Sequence, residues 1–435
     1  MPKLSTAPRA SSPATRTLAA IGAGAILLYG SRVLLDFFGN PLPYSMPDTL
    51  GAPLDSPDFL RFLSTVTNGN LRPSRLTRLR NGQEFYPAEL EAIRGAQHAI
   101  NLEFYEFLPG QVAAEFLAAL TERARAGVQV RVLVDAVGSF GTPDSFFRPL
   151  RAAGGHMHWY HPVRWNTWQH LNNRTHRKLI VIDGTSGFLG GAGIGDHWLY
   201  PSRTAPTWRD TMFHVAGEAV AGLLSTFSEN WLEASGAILS GAEQFNFEPT
   251  PGSVPSFVVS STPHGGGTGA RILFTALIKS ARSHIRITTP YFLPDKSARQ
   301  AMVAAVRRGV RVEILTAGPK IDHPVIRKLS RHTSRHLVAG GAHIFEYQPA
   351  MIHAKLMTID GQWSVLGSTN FDHRSFALND EINLAALDRA LAATLDADFA
   401  DDLAQSRPLT LEMLAKRTLL TTGEDFVDHM ISYES

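Results

Sequence analysis

The sequence predicts an α/β protein of two similar domains, each a mostly parallel or mixed sheet flanked by helices. It predicts that they pack as a pseudo-twofold pair, with an N-terminal membrane helix ahead of them. Three observations carry this. A ten-residue device occurs twice, as THRKLIVIDG at 175–184 and IHAKLMTIDG at 352–361. Each copy follows the same succession of strand, Phe-Leu-Pro, helix, Gly-Val and strand. One long apolar stretch stands near the N-terminus.

Residues 1–40 read as a tail and a membrane anchor. Lys3, Arg9 and Arg16 lie among Ser, Thr, Pro and Ala, ahead of LAAIGAGAILLYG at 18–30. The run from Leu18 to Leu35 just suffices to cross a hydrocarbon core of roughly 30 Å, with Arg32 reaching to the interface. A cleaved signal peptide and a buried helix are the competing readings, but no small-x-small cleavage site follows the run. The basic residues precede it, which favours a cytoplasmic N-terminus and a catalytic region outside the cell membrane.

The first domain is expected over 41–248. HAINLEFYEFLPG (98–110) leads through a helical AAEFLAALTERARA into AGVQVRVLV (126–134), where Val128, Val130 and Val132 alternate as on a strand. FEPTPGSVPS (247–256) is a Pro-, Gly- and Ser-rich linker. The second domain, 249–405, repeats the order with HIRITTPYFLPD (284–295), SARQAMVAAVRR and RGVRVEILT (308–316). Strand–helix–strand units of this kind build a largely parallel sheet under helices. HGGGTGA (264–270) is either a mobile loop or a phosphate cradle. Residues 406–435 are expected to form a helical tail.

Composition narrows the function. The 435 residues are 44% hydrophobic and 18% charged, as in a globular protein, and the net charge of +2 is too small for a dedicated nucleic-acid binder. With no Cys, the chain has neither disulfides nor a thiolate nucleophile. His156 and His158 have no carboxylate–His set at metal spacing, so neither a metal nor any other cofactor is expected.

The chemistry lies in the repeated device. On a strand, His176 and Lys178 share one face, and Asp183, an odd number of residues on, takes the other. His353, Lys355 and Asp360 repeat the arrangement. The Asp is followed by Gly in both copies, a turn signal, so Asp183 and Asp360 are read as fixing the turn and bracing the site. Two buried ammonium groups suit the charge of a phosphodiester in its transition state. One imidazole can attack phosphorus, and the other can protonate the leaving alkoxide and then deprotonate the incoming alcohol or water.

The doubled H-x-K-x-x-x-x-D pattern, with Gly-Gly or Gly-Ser seven residues past each Asp, resembles the phospholipase D superfamily over roughly residues 75–405. TPYFLPD (289–295), FEYQPAMIHAK (345–355), LGSTNFDHRSFALNDE (366–381) and NNRTHRK (172–178) resemble its bacterial cardiolipin synthase branch. The resemblance implies one site at the interface of two domains, with His176 as nucleophile and His353 as general acid/base. It also implies that Ser368 and Asn370 contact phosphate, that Glu381 orients His353 and that Asp210 correspondingly orients His176. One position departs from the pattern: Gly193 in GGAG (190–193) stands where the family has Asn.

Two stretches flank the device. HMHWYHPVRWNTWQHLNNR (156–174) is aromatic enough for a lipid-contacting surface, or for a core. In KIDHPVIRKLSRHTSRHL (320–337), Arg327, Arg331 and Arg335 recur at helical spacing, either as a dock for anionic headgroups or as a solvated face. The expected reaction moves a phosphatidyl group between two phosphatidylglycerol molecules, giving cardiolipin and glycerol. Hydrolysis by a phospholipase D, a nuclease and a non-catalytic lipid scaffold are the alternatives. Phospholipid and membrane are the expected partners, and the sequence does not fix an oligomeric state.

Overall fold

The computed structural model describes Gly24, residues 44–46 and residues 51–415 except 165–171, 204, 242–243, 246, 248 and 263–268. The expected anchor, most of HGGGTGA, the centre of the aromatic stretch and the tail beyond 415 therefore lie outside the described residues. Among the described residues, no helix is long and apolar enough to cross a membrane.

The first half runs α1 (Pro57–Thr67), β1 (Ser74–Arg80), α2 (Gly82–Gly95), β2 (Ala99–Phe104), α3 (Gln111–Arg125), β3 (Gln129–Asp135), α4 (Arg148–Ala152), β4 (His156–Tyr160), β5 (Lys178–Ile182), β6 (Ser186–Gly190), β7 (Thr211–Gly217) and α5 (Val220–Ser235). The second runs β8 (Ser256–Ser261), α6 (Gly269–Ser280), β9 (His284–Thr289), β10 (Phe292–Leu293), α7 (Lys296–Arg307), β11 (Arg311–Ala317), α8 (Pro324–Ala339), β12 (His343–Tyr347), β13 (Leu356–Ile359), β14 (Trp363–Gly367), β15 (Phe371–Asp372), α9 (His373–Ala377), β16 (Glu381–Leu387), α10 (Arg389–Ala404) and β17 (Ser406–Pro408).

The sheet orders show the duplication. The first sheet is β1-β7-β6-β5-β2-β3-β4, and the second is β8-β16-β14-β13-β9-β11-β12 with β17 added at the edge. Strands β2, β3 and β4 pair in parallel, as do β9, β11 and β12. Strands β5 and β13 return antiparallel beside β2 and β9. The start of each returning strand thus lies at the C-terminal ends of the parallel ones, where the repeated His-Lys pairs fall.

The central strands are covered on both faces, so β5 is buried throughout and reads as an apolar run after its Lys. On β5, Ile180 and Ile182 face Phe85, Phe104 and Phe116 under α2 and α3. Leu179 and Val181 face a core shared by the two halves, which includes Leu366, Ile382 and Leu384.

Two expected boundaries move. Residues 51–67 fall in the first domain by sequence, but Leu54, Phe59 and Leu63 pack into the second half's core beside Leu273 and Trp363. The Trp363 indole N–H donates to the Leu54 carbonyl at 2.9 Å. An amphipathic helix goes where its apolar face is buried, whatever its place in the chain. The tail expected to be helical from 406 begins as β17, antiparallel to β12, and turns helical at Leu411–Ala415.

Candidate active site

The two returning hairpins form the floor of the site. In each, Asp and Gly occupy the two turn positions with positive φ, +50° and +65° at Asp183 and Gly184, +53° and +62° at Asp360 and Gly361. This is the type I′ geometry that the right-handed strand twist favours. Asp183 accepts from the backbone N–H groups of Gln97, His98 and Ala99 at 2.7–2.8 Å. Asp360 does the same for Arg282, Ser283 and His284, each at 2.8 Å. Both aspartates therefore tie a turn to the start of the neighbouring strand. They stand at the far end of a strand from the Lys, roughly 17 Å away over five residues at 3.3 Å per residue. The expectation that they brace the site is corrected: they brace the sheet.

At the other end, His176, Lys178, His353 and Lys355 are all buried. Lys178 Nζ donates to the His176 carbonyl at 2.7 Å and Lys355 Nζ to the His353 carbonyl at 2.6 Å. Each ammonium is thus fixed by the backbone of its own motif. Lys355 Nζ also lies 3.0 Å from Nδ1 and 3.1 Å from Nε2 of His353.

The carboxylates are paired the opposite way from expectation. His176 Nδ1 donates to Glu381 at 3.0 and 3.1 Å, and His353 Nδ1 donates to Asp210 at 3.0 Å. Each histidine is oriented by the other half. The backbone shows why. The His176 N–H donates to the carbonyl of Asp380, the residue before Glu381, at 2.9 Å. The His353 N–H donates to the carbonyl of Arg209, the residue before Asp210, at 2.7 Å. Two short parallel bridges, Thr175 with Asp380 and Arg209 with Ile352, stitch the halves together at these points. Counting along one motif cannot reveal such a crossing.

Neighbouring groups hold the carboxylates. Asp210 accepts from the Trp198 indole at 3.0 Å and from the Thr211 N–H at 2.7 Å. A Cβ at Gly191 would lie 2.4 Å from Asp210 Oδ1 and 2.8 Å from the His353 carbonyl, so only Gly permits this approach. The Ser368 hydroxyl donates to Glu381 and so helps to hold that carboxylate. Asn370 is buried, and its Oδ1 has no hydrogen-bond partner among the described residues.

Burial lowers the cations and raises the acids. Burial first, then the Lys178 and Lys355 charges, hold His176 well below the ordinary imidazole range. Burial and Lys355 bring His353 down to about 4. Burial takes Lys178 to about 7, with Lys355 adding to the effect, and Lys355 to about 8. Glu381 is pushed up to about 7 by burial, against the pull of Lys178. Burial also opposes ionisation of Asp210, but His353 and Lys355 outweigh it and leave the group below the usual carboxylate value. Two neutral imidazoles beside two labile ammonium groups can provide a nucleophile and a proton carrier.

Other expected residues lie elsewhere. Helix α8 forms, but Arg327 and Arg331 both grip Glu346, at 2.7–3.0 Å. Those two guanidinium groups are thus committed within the protein, while Arg335 is exposed. Residues that sequence reasoning passed over line the site: Tyr105 packs edge-on to the His176 ring at 5.3 Å, and Trp208 lies 5.3 Å from that of His353. Among the described residues, no group of three or more His, Asp or Glu could hold a metal ion.

The model of the family "Cardiolipin synthase, PLD-like domain" matches residues 90–200 and 274–403. A cardiolipin synthase of Geobacillus sp. (strain WCH70) is 35% identical over 81% of this chain and 71% of its own length. Cardiolipin synthase 2 of Bacillus anthracis is 34% identical over 90% of this chain and 74% of its own. Among solved structures, the phosphatidylserine synthase of Haemophilus influenzae Rd KW20 shares the fold, with a TM-score of 0.62 at 15% identity, covering 86% of this chain and 97% of that one. Two His-Lys pairs, crossed carboxylates and a duplicated sheet, together with these matches, show that the chain belongs to the cardiolipin synthase family of phospholipase D-like proteins.

Proposed function

We propose that the protein is a membrane-associated phosphatidyltransferase that joins two phosphatidylglycerol molecules into cardiolipin and releases glycerol. The observation that carries this is the pair of buried histidines, each oriented by the other half's carboxylate and each with a lysine ammonium held beside it. With Nδ1 bound to Glu381, His176 presents Nε2 to phosphorus. Attack forms a P–N bond and breaks the P–O bond to glycerol, whose oxygen takes a proton from His353. A hydroxyl of the second phosphatidylglycerol then attacks phosphorus. The P–N bond breaks, and the hydroxyl proton goes to His353. Lys178 and Lys355 offset the phosphoryl charge in both steps. A phosphoryl anion between them in turn weakens the effect of Lys355 on His353 and brings that ring closer to the range in which it carries a proton.

Membrane association is supported by the apolar run at 18–35 and by the lipid nature of the proposed substrate. Lipid mass spectrometry tests the reaction. Purified, detergent-solubilised protein with phosphatidylglycerol is expected to yield cardiolipin and glycerol, and His176→Ala neither. Phosphatidic acid as the sole lipid product would show instead that water completes the second step, making the protein a hydrolase.

A further inference from the structure

The loop after β2 carries Glu106, an acid that the repeated pattern does not call for. Its carbonyl accepts from the Ile194 N–H at 2.9 Å, which pins the loop to the segment after β6. Gly193 is the neighbour in that segment. A Cβ there would lie 2.9 Å from Glu106 Cβ, and 3.1 Å from both the Glu106 carbonyl and the Trp198 ring. The room an Asn side chain would need at 193 is therefore taken by Glu106 and Trp198. At this wall the chain carries a carboxylate in place of an amide.

The carboxylate faces a small polar cluster. Glu106 Oε2 is 3.8 Å from Nε2 of His197, a nitrogen that is buried and has no hydrogen-bond partner among the described residues. Glu106's own side chain is 24% exposed and makes no hydrogen bond among the described residues. His197 is wedged between Trp198 and Trp208, with ring centroids at 3.9 and 4.2 Å. Trp208 in turn lies against His353. The second half contributes Asp322, held by the Tyr291 hydroxyl at 2.6 Å and by the His323 N–H at 2.8 Å. The Asp322 charge is felt at Glu106, His197 and Lys355 alike.

We infer that Glu106, His197 and Asp322 form a hydroxyl-binding subsite beside His353 that holds the diol of the glycerol headgroup, both as leaving group and as acceptor. This rests on the phosphatidyltransferase reading and specifies how that site chooses alcohol over water. Burial pushes the Glu106 carboxyl up to about 7; in its ionised form it repels a phosphate, as does the Asp322 carboxylate, and leaves the phosphate to the lysines. Both carboxylates accept hydrogen bonds from a neutral polyol. Burial holds His197 neutral, with its value brought down to about 4, so the ring offers an uncharged partner to a hydroxyl that both donates and accepts. An ammonium headgroup could use only the acceptors. With one hydroxyl bound here, the vicinal hydroxyl reaches phosphorus and hands its proton to His353 as the P–N bond breaks. Water in the same place lacks the second anchor.

The test is the ratio of cardiolipin to phosphatidic acid formed from phosphatidylglycerol by wild type, Glu106→Ile, Glu106→Gln and Asp322→Asn. The ratio is internal to each preparation, so partial unfolding lowers both products together. It is expected to fall about tenfold in Glu106→Ile and Asp322→Asn, the order of one charge-assisted hydrogen bond, and less in Glu106→Gln. In the reverse reaction, cardiolipin plus glycerol, the KM for glycerol is expected to rise by a similar factor. Ratios within twofold of wild type in both Glu106→Ile and Asp322→Asn would overturn the subsite. Should Glu106→Ile not fold, the ratio in Asp322→Asn, a change in a surface loop, decides by itself. Wild type yielding phosphatidic acid alone would remove the transferase reading, and this assignment with it. That outcome is visible before any variant is made.

Discussion

Because His176 is held by Glu381 and His353 by Asp210, the two carboxylates have separable duties. Glu381 keeps the nucleophile's Nε2 aimed at phosphorus, and Asp210 supports the proton carrier. A soluble phosphodiester with a p-nitrophenolate leaving group separates them, since that group leaves without a proton. In rapid-mixing experiments, Asp210→Asn should keep the p-nitrophenol burst but turn over slowly afterwards, by roughly a hundredfold if general base help is lost. Glu381→Gln should slow the burst itself. The opposite assignment of burst and steady-state defects would restore the pairing read from sequence. That pairing failed for a physical reason: both carboxylates follow a cross-half backbone bridge, and sequence distance carries no information about such bridges. The residue types were legible, because a buried His-Lys pair has few purposes other than catalysis. Glu106 was not, since nothing in the spacing of its stretch sets it apart from Glu103 three residues before it.

At the scale of elements, the motif aspartates matter to the strands and not to the chemistry. Asp183 satisfies three N–H groups at the entry to β2, and Asp360 three at the entry to β9. Removing such an acceptor leaves donors to find water at a strand end and lets the hairpin lose its register. Asp183→Ala and Asp360→Ala are each expected to cost about 1–3 kcal/mol. The signature would be a lower Tm and a lower yield of folded enzyme, while kcat per folded molecule falls far less than in Lys178→Met. A kcat loss matching that of Lys178→Met, with Tm unchanged, would place these residues in the chemistry after all. The hairpins, the parallel strands and helix α8 were legible from alternation, Asp-Gly turns and apolar spacing. The place of α1 was not, because an amphipathic helix shows which face it buries without naming its partner. The engagement of Arg327 and Arg331 by Glu346 was hidden likewise: it joins residues 15 and 19 positions apart across a helix and a strand.

The whole molecule matters because neither half holds a complete site. Each supplies a His-Lys pair and the carboxylate for the other's histidine, so closing the pseudo-twofold interface assembles the reactive centre. The duplication made this arrangement predictable from sequence, while the reciprocal bridges that enforce it became visible only once the chain was folded. Assembly also crowds two ammonium groups into one buried space, and this sets the pH dependence. The productive form has Lys178 and Lys355 protonated, Glu381 ionised and His176 neutral. Burial, with Lys355 adding to it, brings Lys178 to about 7, while burial pushes Glu381 to about 7 against the pull of Lys178. These groups titrate as a set, with apparent values that belong to the set. As pH rises through 7 to 8, the lysines lose protons, transition-state charge goes unopposed, and kcat/KM should fall. On the acid side, loss of the Glu381 charge sets the limb, near the value of about 7 to which burial pushes that group, because His176 protonates only well below the ordinary imidazole value. A guanidinium stays charged throughout this range. In Lys178→Arg, therefore, kcat is expected to drop, while the alkaline limb of kcat/KM, followed from pH 5 to 9.5 on the soluble p-nitrophenyl substrate, moves up by at least about one unit. An alkaline limb that stays in place in Lys178→Arg would mean that a group other than Lys178 sets it, and that the lowered lysine is not the working cation.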